Sequence, residues 1–341
     1  MKKYILIIIF FSVLALSTAV FNSKFQKLDE GKPSDYQKIR MVLTTSGNNM
    51  GINTLTAKKF AEMVKKESGG NVIIEVYDND QLAGGNAIKG VGMLVNGSID
   101  IAVYTSGTFS ALNPKMSTVT LPWTFDNYKE AREIIDKSGS AYYEKLLAEQ
   151  GLLYLGSVHN GFRQISNNRN PVSKPEDLKG MKIRILNNEG YKLFFQSFDA
   201  VPMPIGRTEM EKLLRQGDID GHDMSIFQTL NNKVDKRERY ITIWNYAYEN
   251  YIFVMNTKTF AQLEPETQEL LYKKAKEACE WGRDLLERNE QDIKKKLIKN
   301  GVIIKELSPE ELEPFKQKAQ PLINKLKEKY GEEACLAFGI K

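Results

Sequence analysis

The same seven-residue pattern, Leu-x-x-Gly-x-Ile-Asp, occurs twice in this chain, in "LVNGSIDIA" (Leu94 to Ala102) and in "LRQGDIDGH" (Leu214 to His222). Upstream of each copy a strand-like segment also recurs, "GGNVIIEV" (Gly69 to Val76) matching "KGMKIRIL" (Lys179 to Leu186). A strand that runs through a helix and a glycine turn into another strand is the unit of a mostly parallel α/β sheet. Two copies predict two lobes of similar build. A length of 341 residues agrees, because single hydrophobic cores usually split near that size.

The first copy begins with the strand-like "KIRMVLTT" from Lys38. Ile52, Leu55, Phe60, Met63 and Val64 then fall on one helical face, which Gly69-Gly70 ends. "NVIIEVYD" has the β-branched run of a buried strand, and "SIDIAVYT" follows a Gly84-Gly85 turn and a helix through Met93 and Leu94. From Pro265 to Asn300 the pattern predicts one helix on the order of 50 Å long, with Leu270, Leu271, Ala275, Ala278, Trp281, Leu285, Ile293 and Leu297 as its apolar stripe. Such a helix is long enough to brace two lobes. Ser308 with Glu311 three residues on is a capping box, and predicts a last helix to about Tyr330.

The N-terminus, "MKKYILIIIFFSVLALSTAVFNSKF", has a lysine pair, an apolar run from Tyr4 to about Leu16 and small residues at Ser17-Thr18-Ala19. It reads as an export signal over residues 1–19, either cleaved or kept as an anchor, followed by a polar linker over 20–37. No cysteine follows the apolar run, which argues against a lipoprotein anchor. Without Lys2 and Lys3 the formal net charge falls from +5 to +3. Lysine and arginine also alternate with glutamate, as in "KKAKEACEWGRDLLERNEQDIKKK", so no nucleic-acid partner is expected. Cys279 and Cys335 could pair in an oxidising compartment or serve as two buried small hydrophobes.

Enzyme signatures are missing: no Gly-x-Ser-x-Gly, His-Glu-x-x-His, Cys-x-x-Cys, Gly-Lys-Ser/Thr phosphate loop or Gly-x-Gly-x-x-Gly occurs. With His159 and His222 alone, no histidine-rich metal site can be built, and both read as structural. "DIDGHD" (Asp218 to Asp223) misplaces the glycine and lacks the distal glutamate of a calcium loop, so it reads as a strand end. No enzyme activity and no cofactor is expected. What remains is a pair of arginines in apolar company, Arg163 after Gly161-Phe162 and Arg184 in "MKIRIL". Either they are surface or structural ion-pair residues, or they present planar forks to a carboxylate at the carboxyl ends of strands.

The residues that carry these arginines also carry a resemblance. "NGFRQISNNRNPVSKPEDLKGMKIRI" followed by "VPMPIGRTEMEKLLRQGDIDGHD" resembles the central signature of the DctP-type family, the solute-binding proteins of TRAP transporters. The likeness continues through "LPWTFDNYKEA", "YIFVMNTKTFAQLEPETQELL" and "NGVIIKELSPEELEPF" and covers essentially everything after the linker. It implies a periplasmic or otherwise extracytoplasmic receptor with a two-lobed, periplasmic-binding-protein-like α/β fold, hinge strands and a long bracing helix. The expected lobes are 38–158 with 247–288 and 159–246 with 289–341, with hinges near Gly156 to His159 and Trp244 to Tyr251. The implied partners are a small organic acid and the small and large membrane subunits of a TRAP permease. A module reporting ligand to a membrane sensor kinase is the alternative.

By the same resemblance Arg184 is the main carboxylate clamp and Arg163 lines the cleft. Three positions depart from the family pattern: Met224 replaces an asparagine, Arg207 replaces an aromatic residue, and Thr105 stands where some members have an acid. A ligand of more anionic character, with a second carboxylate near Arg207 and an apolar portion against Met224, is the expectation drawn from them. Asp223, Tyr104, Asn245 and Thr45 complete the candidate ligand-binding set. "NPVSKPEDLKG" is expected to hold a one-turn helix capped by Ser173.

Overall fold

The computed structural model describes residues 36–341, without the side chains of Arg207 and Thr208. The expected export signal and almost all of the expected linker therefore lie outside the described residues. Nine strands follow: β1 (Ile39–Thr45), β2 (Val72–Tyr77), β3 (Ile101–Thr105), β4 (Leu152–Asn167), β5 (Lys182–Ile185), β6 (Val201–Pro204), β7 (Gly221–Met224), β8 (Tyr240–Asn256) and β9 (Ile303–Glu306). They join in the order β2-β1-β3-β8-β4-β7-β5-β6, with β9 also on β8.

The repeat is real, but half of its alignment shifts by one strand. β3 and β7 correspond: Asp100 Oδ2 accepts from Val42 N (2.7 Å), and Asp220 Oδ2 accepts from Lys182 N (2.8 Å). The backbone bonds reciprocate, Asp100 N to Val42 O and Asp220 N to Lys182 O. Each aspartate thus clips its strand to the central strand of a lobe. That central strand is β1 in one lobe and β5 in the other, since β1 lies between β2 and β3 while β5 lies between β6 and β7. "KGMKIRIL" therefore corresponds to β1 and not to β2. A β-branched run announces burial, but its place in the sheet depends on neighbours distant in sequence. The correspondence extends past the strand ends. Thr105 accepts from Thr108 N to cap the Ser106–Phe109 helix, and Ser225 accepts from Gln228 N to cap the Ile226–Asn231 helix.

β4 and β8, antiparallel over nearly their whole length, carry the chain between lobes. β8 shares its other edge between β3, at Tyr251 to Met255, and β9, at Tyr240 to Ile243. Three register shifts interrupt the β4–β8 ladder, between Tyr154 and Gly156, His159 and Gly161, and Arg163 and Ile165. Bulges bend a strand and increase its twist. Gly156 has φ +152°, and a Cβ there would lie 2.8 Å from Cys279 Sγ. At the third shift Gln164 Oε1 accepts from Trp244 N (3.0 Å) and Asn245 N (3.1 Å), satisfying backbone that the bulge leaves unpaired.

The long helix runs Pro265–Lys299. Leu270, Leu271, Ala275 and Ala278 pack with Met41, Phe60 and Phe253, while Ile293 and Leu297 pack with Ile241 and Ile243 at the far end of β8. Trp281 and Leu285 are half-buried, and at the crossing over β4 the close-packed residues are Gly282 and Arg283, whose Nε donates to Ser157 O (2.9 Å). The last helix, Pro309–Tyr330, has the expected Ser308–Glu311 box. Its Phe315, Ala319 and Ile323 join the core around Trp244, whereas Leu326 and Tyr330 join the one around Leu94 and Tyr104. Cys279 and Cys335 are both free and buried, and burial pushes the Cys279 thiol up to about 12. The one-turn helix is Pro175–Leu178, capped at Lys174 rather than Ser173: Asp177 Oδ2 accepts from both backbone amides, because its carboxylate reaches back over the turn.

Both histidines are buried. His222 Nδ1 lies 2.5 Å from Glu238 Oε2. His159 sits at the second bulge, with Nδ1 2.6 Å from the Tyr248 hydroxyl and Nε2 3.0 Å from Glu287 Oε1 on the long helix. Burial lowers the His159 pKa, opposed by Glu287 and assisted by Arg283 and Arg132. A histidine depressed below its unfolded value, near 6.5, contributes stability above that pH and loses it as pH falls through the folded value. His159 lowers the pKa of Glu287, which adds a loss of the same sign at lower pH. The melting temperature is expected to depend less on pH between 7 and 5 in His159→Gln than in the wild type. Parallel slopes would remove His159 from that dependence.

Candidate ligand-binding cleft

A cleft of about 720 Å³ opens where strands of both lobes end. Its walls come from residues just past β1 (Ser46, Gly47), past β2 (Asn79, Asp80) and at the end of β3 (Thr105) on one side. The other side has Arg184 on β5, Leu186 and Asn187 just past it, Pro204 at the end of β6 with Ile205 and Gly206 after it, and Met224 at the end of β7. Asn160, Arg163 and Tyr251 from the crossing strands form its floor. Ligand sites in open α/β sheets collect at such carboxyl ends.

Arg184 is 5% exposed, and its Nε donates to Ile205 O at 2.9 Å. That bond aims the side chain from the end of β5 along the cleft wall. Arg163, 2% exposed, is held differently. Nε donates to Asp223 Oδ2 (2.9 Å), Nη2 donates to Asp223 O (2.6 Å), Nη1 pairs with Glu249 Oε2, and the guanidinium lies 4.5 Å from the Tyr191 ring centre. Two buried carboxylates thus enclose one arginine. Burial raises the pKa of both Asp223 and Glu249, and Arg163 acts against it in each case. Asn160 Nδ2 also donates to Glu249 Oε2 (2.9 Å), and the Tyr246 hydroxyl to Asp223 Oδ2 (3.0 Å).

Of the nine candidate residues, Arg163, Arg184, Met224 and Thr105 line the cleft together. Asp223 lies behind the floor as the partner of Arg163. Thr45 is buried with its hydroxyl 2.6 Å from that of Thr54, and Tyr104 is buried with its ring against Gly90. Asn245, at φ +44°, sits in the third bulge, where Oδ1 accepts from Gln164 Nε2 (2.5 Å). Neither these three nor Asp223 is in the lining. Arg207 begins the Arg207–Gln216 helix beside Gly206, and its side chain lies outside the described residues. Sequence reasoning missed Asp80, Glu249, Asn160, Gln228 and Tyr251. Glu249 had a visible signal, as the single acid within the apolar run "YAYENYIFV". The glycine of "DGHD" also gains a reason: a Cβ on Gly221 would press into the Ser166 carbonyl oxygen on β4.

Across the mouth, Asn48 Nδ2 donates to Asn232 Oδ1 (3.2 Å), and Asn231 Nδ2 donates to Asn48 Oδ1 (2.9 Å). Asn48 follows β1, whereas Asn231 and Asn232 end the Ile226–Asn231 helix of the other lobe. Because the pair of bonds exists only while the lobes meet, it favours the closed arrangement. Asn48→Ala is expected to weaken ligand binding several-fold, about 1 kcal/mol, mainly through faster dissociation. Stopped-flow dissociation rates equal to wild type would contradict this.

A two-lobed mixed α/β sheet, crossed by two long strands and closed over a cleft at its strand ends, defines the class of periplasmic-type binding receptors. Residues 45–329 match the family model described as DctP, bacterial extracellular solute-binding protein, family 7. The chain belongs to that family, the solute receptors of TRAP transporters, which bind small organic acids outside the cytoplasm and do not catalyse a reaction. It is 28% identical over 283 residues to the C4-dicarboxylate-binding protein DctB of Bacillus subtilis, covering 82% of this chain and 79% of that one. It is 29% identical over 239 residues to the 2,3-diketo-L-gulonate-binding periplasmic protein YiaO of Escherichia coli, covering 70% and 72%. Its fold also matches that of the sugar acid binding protein DctPAm of Advenella mimigardefordensis in complex with galactonate, with TM-score 0.85, 26% identity and coverage of 89% and 97%.

Proposed function

We propose that this receptor holds one small organic acid with the ligand carboxylate on the Arg184 fork, and that the loaded, closed form is delivered to the small and large subunits of a TRAP permease. The observation that carries the reading is Arg184, a buried guanidinium in the wall of a cleft built from strand ends. A carboxylate drawn out of water needs a charged partner of matching geometry, and an arginine fork supplies one. The relatives named above bind small carboxylates, which supports the same ligand class here. Arg163 then serves as a floor whose position Asp223 and Glu249 maintain, and Met224 offers the ligand an apolar surface.

Ligand contacting both walls favours closure, since only the closed state offers both sets of contacts. The moving bodies are 38–158 with 247–288 and 159–246 with 289–325, and residues 326–341 travel with the first, where Leu326, Tyr330, Phe338 and Ile340 pack. Residues 1–19 direct export and are then cleaved or retained as an anchor. Thermal-shift screening of the purified protein against organic acids tests the reading: a true ligand raises the melting temperature with its concentration. A panel in which no acid does so would sink it.

A further inference from the structure

We infer that Trp123 is a positioning residue for lobe closure, a latch that the first lobe seats in the second and that holds the closed arrangement from the hinge side. This rests on the cleft-closure reading above and concerns what sets the relative position of the lobes. The loop that carries Trp123 crosses from one core to the other and back between Leu121 and Phe125. Leu121 and Phe125 pack in the core around Tyr104 and Tyr248, whereas the Trp123 ring packs against the core around Phe194 and Trp244.

The seat is a gap in the sheet. β8 pairs with β9 at Tyr240 to Ile243 and with β3 at Tyr251 to Met255, and on that edge the backbone between them has no strand partner among the described residues. Trp123 satisfies two of the carbonyls there: its N donates to Tyr246 O (2.7 Å) and its Nε1 donates to Trp244 O (3.4 Å). These carbonyls flank Asn245, so the latch lands on the third bulge. The indole meets Phe194 edge-on with ring centres 5.8 Å apart, and Phe194 stacks on Tyr246 at 4.3 Å. The Tyr246 hydroxyl in turn donates to Asp223, the partner of Arg163 in the cleft floor. Trp123 is outside the cleft lining and bears on it through Tyr246.

Trp123 has φ +53°, a left-handed conformation that a bulky L-residue adopts only at a cost, and the contacts with β8 and Phe194 hold it there. Leu121 and Phe125 on either side tie the loop to the first lobe and leave it little slack, so rotation of the lobes draws Trp123 from its seat. The seat is complete in the arrangement that also joins Asn48 to Asn231 and Asn232 at the mouth, and it therefore favours that arrangement. The last helix crosses between the same two cores, with Ile323 in one and Leu326 in the other, and Pro321 interrupts its hydrogen bonding just before the crossing. Beside the indole a groove of about 390 Å³, bordered by Gln320, Ile323 and Lys327, gives the loop room to withdraw.

Pulsed-EPR distances between spin labels on Lys58→Cys in the first lobe and Arg215→Cys in the second test the inference in the unliganded protein, with Cys279→Ala and Cys335→Ala as background. Trp123→Gly keeps the left-handed backbone accessible and removes the ring. It is expected to lengthen the inter-lobe distance by several ångströms and to broaden its distribution. Trp123→Phe keeps a ring against Phe194 without the indole N–H and is expected to fall between; it gives the reading should Trp123→Gly fail to fold. A wild-type distance distribution in the variant that gives the reading, even with a lowered melting temperature, would make Trp123 a packing residue and overturn the inference. No ligand enters these measurements, so that outcome leaves the organic-acid reading standing, and the failure of every acid to bind leaves the latch standing.

Discussion

Arg184→Ala is expected to reduce ligand affinity about a thousandfold, roughly 4 kcal/mol, while the unliganded protein melts within a few degrees of wild type. The asymmetry follows from what the side chain does in each state. Without ligand, Nε donates to the carbonyl oxygen of Ile205, one of the contacts that keep the side chain against the cleft wall, outside the apolar cores. With ligand, its removal leaves a carboxylate in a confined cleft without its planar partner, and the cost is mainly that unpaired charge. Arg184→Lys should recover only part of the loss, because an ammonium keeps the charge and loses the fork. Calorimetry giving native affinity for Arg184→Ala would end its assignment as the clamp.

Arg163→Met is expected to act in the opposite way, on folding first. It leaves Asp223 and Glu249, both fully buried, without their shared cation, at a cost of about 3–5 kcal/mol and a fall of about 10 °C in melting temperature. Burial has already raised both carboxyl groups, and removing Arg163 removes what opposes that rise. A carboxyl group raised in the folded state favours folding when protonated and disfavours it once ionised. The variant should therefore regain stability relative to wild type as pH is lowered from 7 toward 5. Adding Asp223→Asn and Glu249→Gln should restore much of the stability at pH 7. A single variant as stable as wild type at pH 7 would mean that the three groups are not coupled as their geometry indicates.

These contrasting expectations separate two arginines that look alike in sequence. In sequence both sit in short, largely apolar stretches, Arg163 after Gly161-Phe162 and Arg184 between Ile183 and Ile185, and local pattern gives each the same standing. Arg163 meets Asp223 and Glu249, 60 and 86 residues away in the chain. Those meetings depend on the register of β4 against β7 and β8, which three bulges set. Asn245 illustrates the same limit: it sits close to the cleft in sequence terms, yet its backbone turn is absorbed by Gln164 within a bulge. Thr45 and Tyr104 lie at strand ends, as ligand-facing residues should, but their side chains alternate inward to the core.

The sequence by itself determined the element types, the long helix from Pro265, the Ser308–Glu311 cap, the Leu-x-x-Gly-x-Ile-Asp repeat, and Arg184 as a cation at a strand end, because each is written in local spacing. Only the tertiary structure decided which strand is central in each lobe, that Asp223 and Glu249 occupy Arg163, that Asp80 and Gln228 face the cleft, and that Asn48 bridges its mouth. Those facts depend on pairings between residues far apart in the chain, and register and charge balance there are properties of the assembled sheet rather than of any one segment.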